Sequence, residues 1–411
     1  MKFGIFYELQ LPKPLDNDQW DPDDERRIIA EALDQIELAD QLGFDYVFEV
    51  EHHFLEEYSH SSAPEVVLAA ASQRTKNIRL GHGIIQMPSG HNHPARTAER
   101  VATLDLVSNG RVEFGTGEAA SDMELGGFGT DRQEKKSMWE ESTRECLQMM
   151  SSTPYGGVNG RYTDMPVRNV IPKPLQKPHP PIWVASSRLE TVMVAGRLGI
   201  GSLGFAFETA DEAKMRIDNY YKLIREECMP IGAAINPAVA TVANLSCAPT
   251  NEEAVEKGLS GAQFFGFSLG RGTPPNKPRD PGKDHLYREF REQYDPRRAE
   301  LMAEAAAGAE GVGEEPDDES ARALVRAGRR GGFMGNPDFI RENLRAYEDA
   351  NLDAIIFIVQ CGDRKHEDIM DSLNLFAKEV MPEFQERHET KHRKWREEQL
   401  AGVDLLNNST I

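Results

Sequence analysis

The sequence predicts a (β/α)8 barrel on three observations. Strand-like apolar runs alternate with helix-like runs about eight times along 411 residues. Ionisable residues collect where those apolar runs stop, which is where a barrel of parallel strands carries its chemistry. No GxGxxG opens a helix after the first strand, so a doubly wound open sheet is the weaker alternative.

The first strand is "FGIFYE", ending at Glu8. A helix follows in "DPDDERRIIAEALDQIELADQLGF": Asp residues occupy its first turn, Ile29, Leu33, Ile36 and Ala39 recur at helical spacing, and Gly43 sits at its end. The second strand, "DYVFEV", runs into Glu51, His52 and His53. Helix "APEVVLAAASQRT" with Pro64 near its start leads to strand "IRLGHGII", and helix "ARTAERVATLDLVSNG" leads to strand "RVEFGTG". Helix "KKSMWEESTRECLQMM" and a long Pro/Gly-rich connection precede the fifth strand, "IWVASS". Then come helix "LETVMVAGRLG", strand "IGSLGF", helix "ADEAKMRIDNYYKLIREEC" and the seventh strand, "AVATVANLSCA". Strand "DAIIFIVQC" and helix "HEDIMDSLNLFAKEVMPEF" complete the series.

Residues 266–335 break this rhythm. Their Pro, Gly and acidic clusters and low hydrophobicity predict a mobile insertion after strand seven, placed to overhang the barrel mouth as a lid. The expected organisation is a barrel over 1–382, with that insertion inside it, and a charged helical tail over 383–411.

The formal net charge of −21 argues against nucleic acid and against an anionic membrane surface, leaving a small molecule or a protein as partner. Four scattered cysteines suit a reducing compartment. "MKFGIFYELQLPKP" is too soon interrupted for a signal peptide, and no run approaches a membrane span. A soluble, cytoplasmic enzyme is expected.

His52 and His53 point opposite ways if the strand persists, which disfavours a metal site built from the pair. A lone strand-end histidine usually satisfies a backbone carbonyl; a triplet of ionisable residues beside Glu8, His82, Glu118, Ser186 and Ser187 at other strand ends points to function. His91 and His93 form an H-x-H pair without a third ligand, so packing or hydrogen bonding is the better reading than metal. The glycine-rich "FGTGEAASDMELGGFGTD" can bring backbone N–H groups close to an anion or a flat ring.

In their order, "MKFGIF", "LGFDYVFEVEHHF", "RTKNIRLGHGI…HPAR", "LDLVSNGRVEFGTG", "GFGTD", "PPIWVASS", "GNPDFIRENL" and "LFAKEVMPEF" resemble the bacterial luciferase-like flavin-dependent monooxygenases, the luciferase α-subunit above all. The resemblance covers the chain apart from the insertion and the tail. It implies a barrel of that type binding reduced FMN, delivered by a separate flavin reductase. It also implies reaction with O2 through a C4a-peroxyflavin that oxygenates a small organic substrate, with barrels paired as a homodimer. His52 matches the family's catalytic histidine beside the flavin, with Glu51 next to it. Gly83–Ile84 matches a non-prolyl cis peptide under the flavin ring. Ala119, Ala120 and Ser121 match residues along the flavin, Ser186, Ser187 and Arg188 the turn near its phosphate, and Lys136 a phosphate-binding Arg. Two positions depart: Glu118 replaces another phosphate-contacting Arg, and Gly117 replaces a cysteine. Glu118 must turn to another partner, or Lys136 and Arg188 must compensate it; the departures speak against light emission from a long aldehyde. Alternatives are an F420-dependent oxidoreductase of the same superfamily, a non-catalytic partner subunit like the luciferase β-subunit, and a metal-dependent barrel hydrolase.

Overall fold

The structure is a computed structural model that describes residues 1–186, 188–205, 210–271, 280–306 and 332–405. Eight strands carry the fold: β1 (Lys2–Tyr7), β2 (Tyr46–Glu49), β3 (Arg79–His82), β4 (Val112–Gly117), β5 (Ile182–Ala185), β6 (Gly201–Phe205), β7 (Val239–Cys247) and β8 (Ala354–Gln360). Each pairs in parallel with the next, and β8 pairs with β1 from Lys2↔Ala354 onwards, so the ring is closed. This is the (β/α)8 barrel expected from the alternation.

Period-two alternation divides each strand between two cores. Phe6, Phe48, Trp183, Leu203, Val242 and Ile356 fill the barrel interior. Phe3, Ile5, Val47, Leu80, Phe114 and Phe357 face outwards into the larger core under the helices. Gly81 shows how tightly the interior is filled: a Cβ there would lie 2.3 Å from the Phe48 ring. Deeper in the interior Trp183 Nε1 donates to Glu113 Oε2 at 2.6 Å, and Arg79 pairs with the other oxygen of that carboxylate.

Five features were not anticipated. A two-residue strand, Ile85–Gln86, follows β3 and pairs with Thr116–Gly117 of β4, steering the next loop across the mouth. The Pro/Gly-rich connection contains a small hairpin, Val158–Asn159 with Asp164–Met165. Within the expected insertion, the helix Asn251–Arg271 runs past position 266. Helices Leu286–Tyr294 and Arg298–Ala306 pack onto it through Phe264, Phe267, Leu286, Phe290 and Tyr294, and Gly332–Gly335 extends the sheet beside β7. Composition averaged over the whole segment conceals the apolar positions of "LYREFREQY". Residues 272–279 and 307–331 lie outside the described residues, so the lid expectation is not addressed there.

The tail is built into the fold as far as 405. Met381–Arg387 buries Phe384, whose carbonyl accepts the Met1 amine at 3.0 Å, and Arg396 reaches the Pro237 carbonyl at 2.7 Å. It therefore closes the end of the barrel where the strands begin; 406–411 lie outside the described residues. Among the described residues no helix is long and apolar enough to cross a membrane.

Candidate active site

The C-terminal ends of the strands form the mouth, and His52 stands just past β2. Each of its ring nitrogens faces a carboxylate. Nδ1 lies 2.9 Å from Glu124 Oε1, and Nε2 lies 3.5 Å from Glu8 Oε2. Its side chain is 20 % exposed, against 1 % for Glu8 and none for Glu124. Burial alone would lower the pKa of His52, but Glu124 and Glu8 overcome it and raise it to about 9. The imidazole is therefore a cation at neutral pH.

Glu124 is held as an anion. Burial raises its pKa, but His52 outweighs that, together with hydrogen bonds from Ser121 (2.7 Å) and Gln86, and brings it to about 2. The His53 backbone N–H donates to the same oxygen that meets His52, at 3.1 Å. Glu124 sits in the short helix Asp122–Gly127, where Ser121 Oγ accepts its backbone N–H at 3.1 Å. "SDME" is thus an S-x-x-E start signal. That signal was available in the sequence and would have drawn attention to Glu124.

His52 and His53 diverge, although β2 ends at Glu49 and strand parity does not reach them. His53 Nε2 turns to Glu51 Oε1 at 3.3 Å, and its ring packs edge-on against Phe128. The Glu51 carboxylate also accepts the Gln86 N–H at 2.6 Å and the Asn92 amide at 2.9 Å. It fastens the 86–92 loop behind the imidazoles and does not turn to the mouth. His91 Nδ1 meets Gln86 Oε1 at 2.6 Å, and His93 Nδ1 accepts the Ala95 N–H at 3.2 Å at a helix start. Each is tied through its Nδ1. His82 is fully buried on the outer face of β3, and burial lowers it to about 4, so it is neutral and apart from the mouth.

Beside His52 the floor of the mouth is small and apolar. Gly83 and Ile84 are half-buried, and Ala185, at the end of β5, is exposed. A Cβ on Gly83 would come within 2.9 Å of the Phe6 ring, and one on Gly117 within 2.4 Å of Ile84. The Gly83–Ile84 peptide, expected to be cis, is trans; the cis bonds among the described residues all precede proline. The trans form is the cheaper one for a non-prolyl bond. It also leaves the Gly83 N–H bonded to the Glu49 carbonyl at 2.6 Å and the Ile84 carbonyl accepting from Glu51 at 3.0 Å.

Glu118 turns to Lys135, at 3.1 Å, and not to Lys136. Lys135 also donates to the Ala119 carbonyl at 2.7 Å, holding Ala119 in the left-handed region at φ 63. Ala120 next to it is exposed. The exposed Lys136 lies 3.6 Å from Glu190, in the first turn of helix Leu189–Leu198. Arg188 is the N-cap of that helix and makes no side-chain cap, so its first N–H groups face the mouth's edge without one. Ser186 is buried and bonded to Ser202 at 2.6 Å; Ser187 lies outside the described residues.

Comparison with known proteins agrees with this architecture. Residues 1–354 match the model of the luciferase-like monooxygenases. The chain belongs to that family. Among curated relatives of this family member, the oxygenase component of the flavin-dependent trigonelline monooxygenase of Acinetobacter baylyi is 27 % identical over 45 % of this chain and 49 % of its own. The alkanal monooxygenase alpha chain of the Kryptophanaron alfredi symbiont is 25 % identical over 55 % and 60 %. The chain spans about half the length of the first curated relatives it matches. Two solved structures align over 93 % of the chain. They are the monooxygenase RslO1 from Streptomyces bottropensis (TM-score 0.68, 23 % identity, 100 % of that chain) and the oxygenating constituent of 3,6-diketocamphane monooxygenase from Pseudomonas putida in complex with FMN (0.65, 20 %, 98 %). The coenzyme F420-dependent tetrahydromethanopterin reductase of Methanopyrus kandleri aligns almost as well (0.62, 20 %, 93 % of this chain and 99 % of that one). At these identities the structures speak for the barrel alone, and family membership supports an oxidoreductase.

Proposed function

We propose that this protein is the oxygenase component of a two-component system. It takes reduced FMN from a separate reductase and uses O2 to insert one oxygen atom into a small organic substrate, the second oxygen leaving as water. The observation that carries this reading is one partly exposed imidazolium, clamped by two buried carboxylates, over a floor of Gly83, Ile84, Gly117 and Ala185.

The residues present fit a flavin nucleotide. Small side chains line the strand ends beside His52, and Ala119 is held in the strained backbone conformation that clusters at ligand sites. Arg188, Lys136 and the uncapped start of helix Leu189–Leu198 supply the positive edge that a phosphate needs. Glu118 does not oppose it, because Lys135 neutralises Glu118. Bound there, reduced FMN would supply the electrons and the O2-reactive centre.

The chain's own residues do the rest. His52 brings a partly exposed, positively charged ring to the mouth, while Glu124 fixes it through Nδ1 and Glu8 stands behind Nε2. Tyr58 and Phe265 pack near His52 and give the inner side of the mouth an apolar lining that excludes water.

Anaerobic titration with reduced FMN and O2 uptake in the presence of a flavin reductase test the reading, followed by a substrate screen for a mass gain of one oxygen. Binding of F420 with no affinity for FMN would replace it with hydride transfer by the deazaflavin.

A further inference from the structure

Glu8 Oε2 is buried and accepts no hydrogen bond, although Glu8 stands beside an imidazolium. The backbone around it is pinned at three successive carbonyls. Tyr7 accepts from Val50 at 3.2 Å, Glu8 from Ser59 Oγ at 2.7 Å, and Leu9, at φ 51, from His60 at 3.1 Å. Tyr58 O–H holds the other carboxyl oxygen, Oε1, at 3.0 Å. With one oxygen tied and the chain fixed, Oε2 is left facing His52 Nε2.

An imidazole between two carboxylates satisfies both only when both nitrogens carry protons. Neutral His52 would give its Nδ1 proton to Glu124, and Nε2 could then only accept from a protonated Glu8. The two arrangements differ in which of the two groups, 3.5 Å apart, carries one proton. We propose that Glu8 is the positioning residue of His52: its Oε2, 3.5 Å from Nε2, holds the proton on that nitrogen by charge and so fixes the imidazolium that meets the reacting atoms. The inference rests on the reading of His52 as the group facing the cofactor.

The titratable groups that face this pair are Tyr58 from the 56–58 turn, Glu124 from its short helix and, at longer range, Glu51 past β2. Burial raises Glu8 to about 7 against the opposing pull of His52 and Tyr58.

Histidine-labelled full-length protein without flavin, titrated by NMR, tests the pairing. In wild type His52 keeps its imidazolium signature to high pH. Glu8→Gln moves that midpoint down by about one pH unit or more. Glu8→Asp, which restores the charge, moves it less, and the pH profile of kcat with reductase-supplied FMN shifts the same way. An unchanged His52 midpoint in Glu8→Gln overturns the proposal. If that variant does not fold, the carboxyl carbon signal of Glu8 in wild type decides. A midpoint raised together with a linked change at His52 supports the pairing, and an ordinary carboxylate midpoint overturns it. A protein that shows the pairing but binds no FMN would refute the proposed function and leave this proton assignment standing.

Discussion

The two ends of the barrel each bury a carboxylate against a histidine, and they treat the pair differently. Where the strands begin, Asp353 takes the Val239 N–H at 2.8 Å, Tyr221 O–H at 3.0 Å and His392 Nε2 at 2.9 Å, with Arg396 nearby at 3.8 Å. Burial would raise its pKa, but Arg396 and His392 hold it below the ordinary value. At the mouth, Glu8 Oε2 meets His52 only across 3.5 Å and accepts no hydrogen bond, and His52 remains partly open. Residue type does not distinguish the ends. Completeness of the hydrogen bonding does: a satisfied pair holds the fold together, and an unsatisfied one is left for chemistry.

The largest expected effect that would break this contrast is Asp353→Ala. It strands His392 and Arg396 and should cost about 3–5 kcal/mol in urea unfolding. A loss under about 1 kcal/mol would show that the lower network is not structural. His52→Ala should lower turnover by about 100-fold, and it also lowers the unfolding midpoint because Glu8 and Glu124 lose their buried partner. Wild-type oxygenation in that variant would remove His52 from the mechanism.

The pH dependence separates the ends by sign. Folding raises Glu8 from 4.5 to about 7 and His52 from 6.5 to about 9. Their contributions are complete below the unfolded values and are lost as pH rises through the folded ones. Asp353 is lowered from 3.8, so its contribution is present above that value and is lost as pH falls further. Stability followed against pH should therefore lose its alkaline-side slope between about 4.5 and 7 in Glu8→Gln. Asp353→Asn should instead flatten the limb below 3.8.

A smaller effect concerns the helices beside the mouth. The buried Glu57 accepts the Lys13 N–H at 2.7 Å, the Tyr287 N–H at 3.2 Å and the Leu286 N–H, so it ties the 280–294 segment to the turn after His52. Glu57→Gln should cost about 1.5–3 kcal/mol. Faster amide exchange in 280–294 is the measurement, and exchange unchanged there would mean the segment is held by its aromatic packing alone. Smallest of all, Glu190→Gln should tighten FMN binding about twofold by freeing Lys136, a surface-pair energy of about 0.5 kcal/mol. Weaker binding would place the phosphate elsewhere.

Much of this was legible in the residues. The strand runs from "FGIFYE" to "DAIIFIVQC" and the position of His52 just past the second strand follow from local periodicity. Three things were not. Lys135, next in the chain to the expected Lys136, is the one that meets Glu118, because helix phase and not chain order decides which lysine turns inwards. The strand Gly332–Gly335 has little strand propensity and exists because β7 offers it an unpaired edge. The tail reads as a solvated helix from its charges, yet Phe384, His392 and Trp395 anchor it under the barrel.

By itself the sequence determined the barrel, since alternating apolar periods of two and of about 3.6 are written within each short segment. It also determined that an imidazole would end the second strand. Only the tertiary structure decided what that imidazole is. Glu8 and Glu124 stand 44 and 72 positions from His52, and the energy of a buried charge depends on distance through space, which barrel closure alone sets.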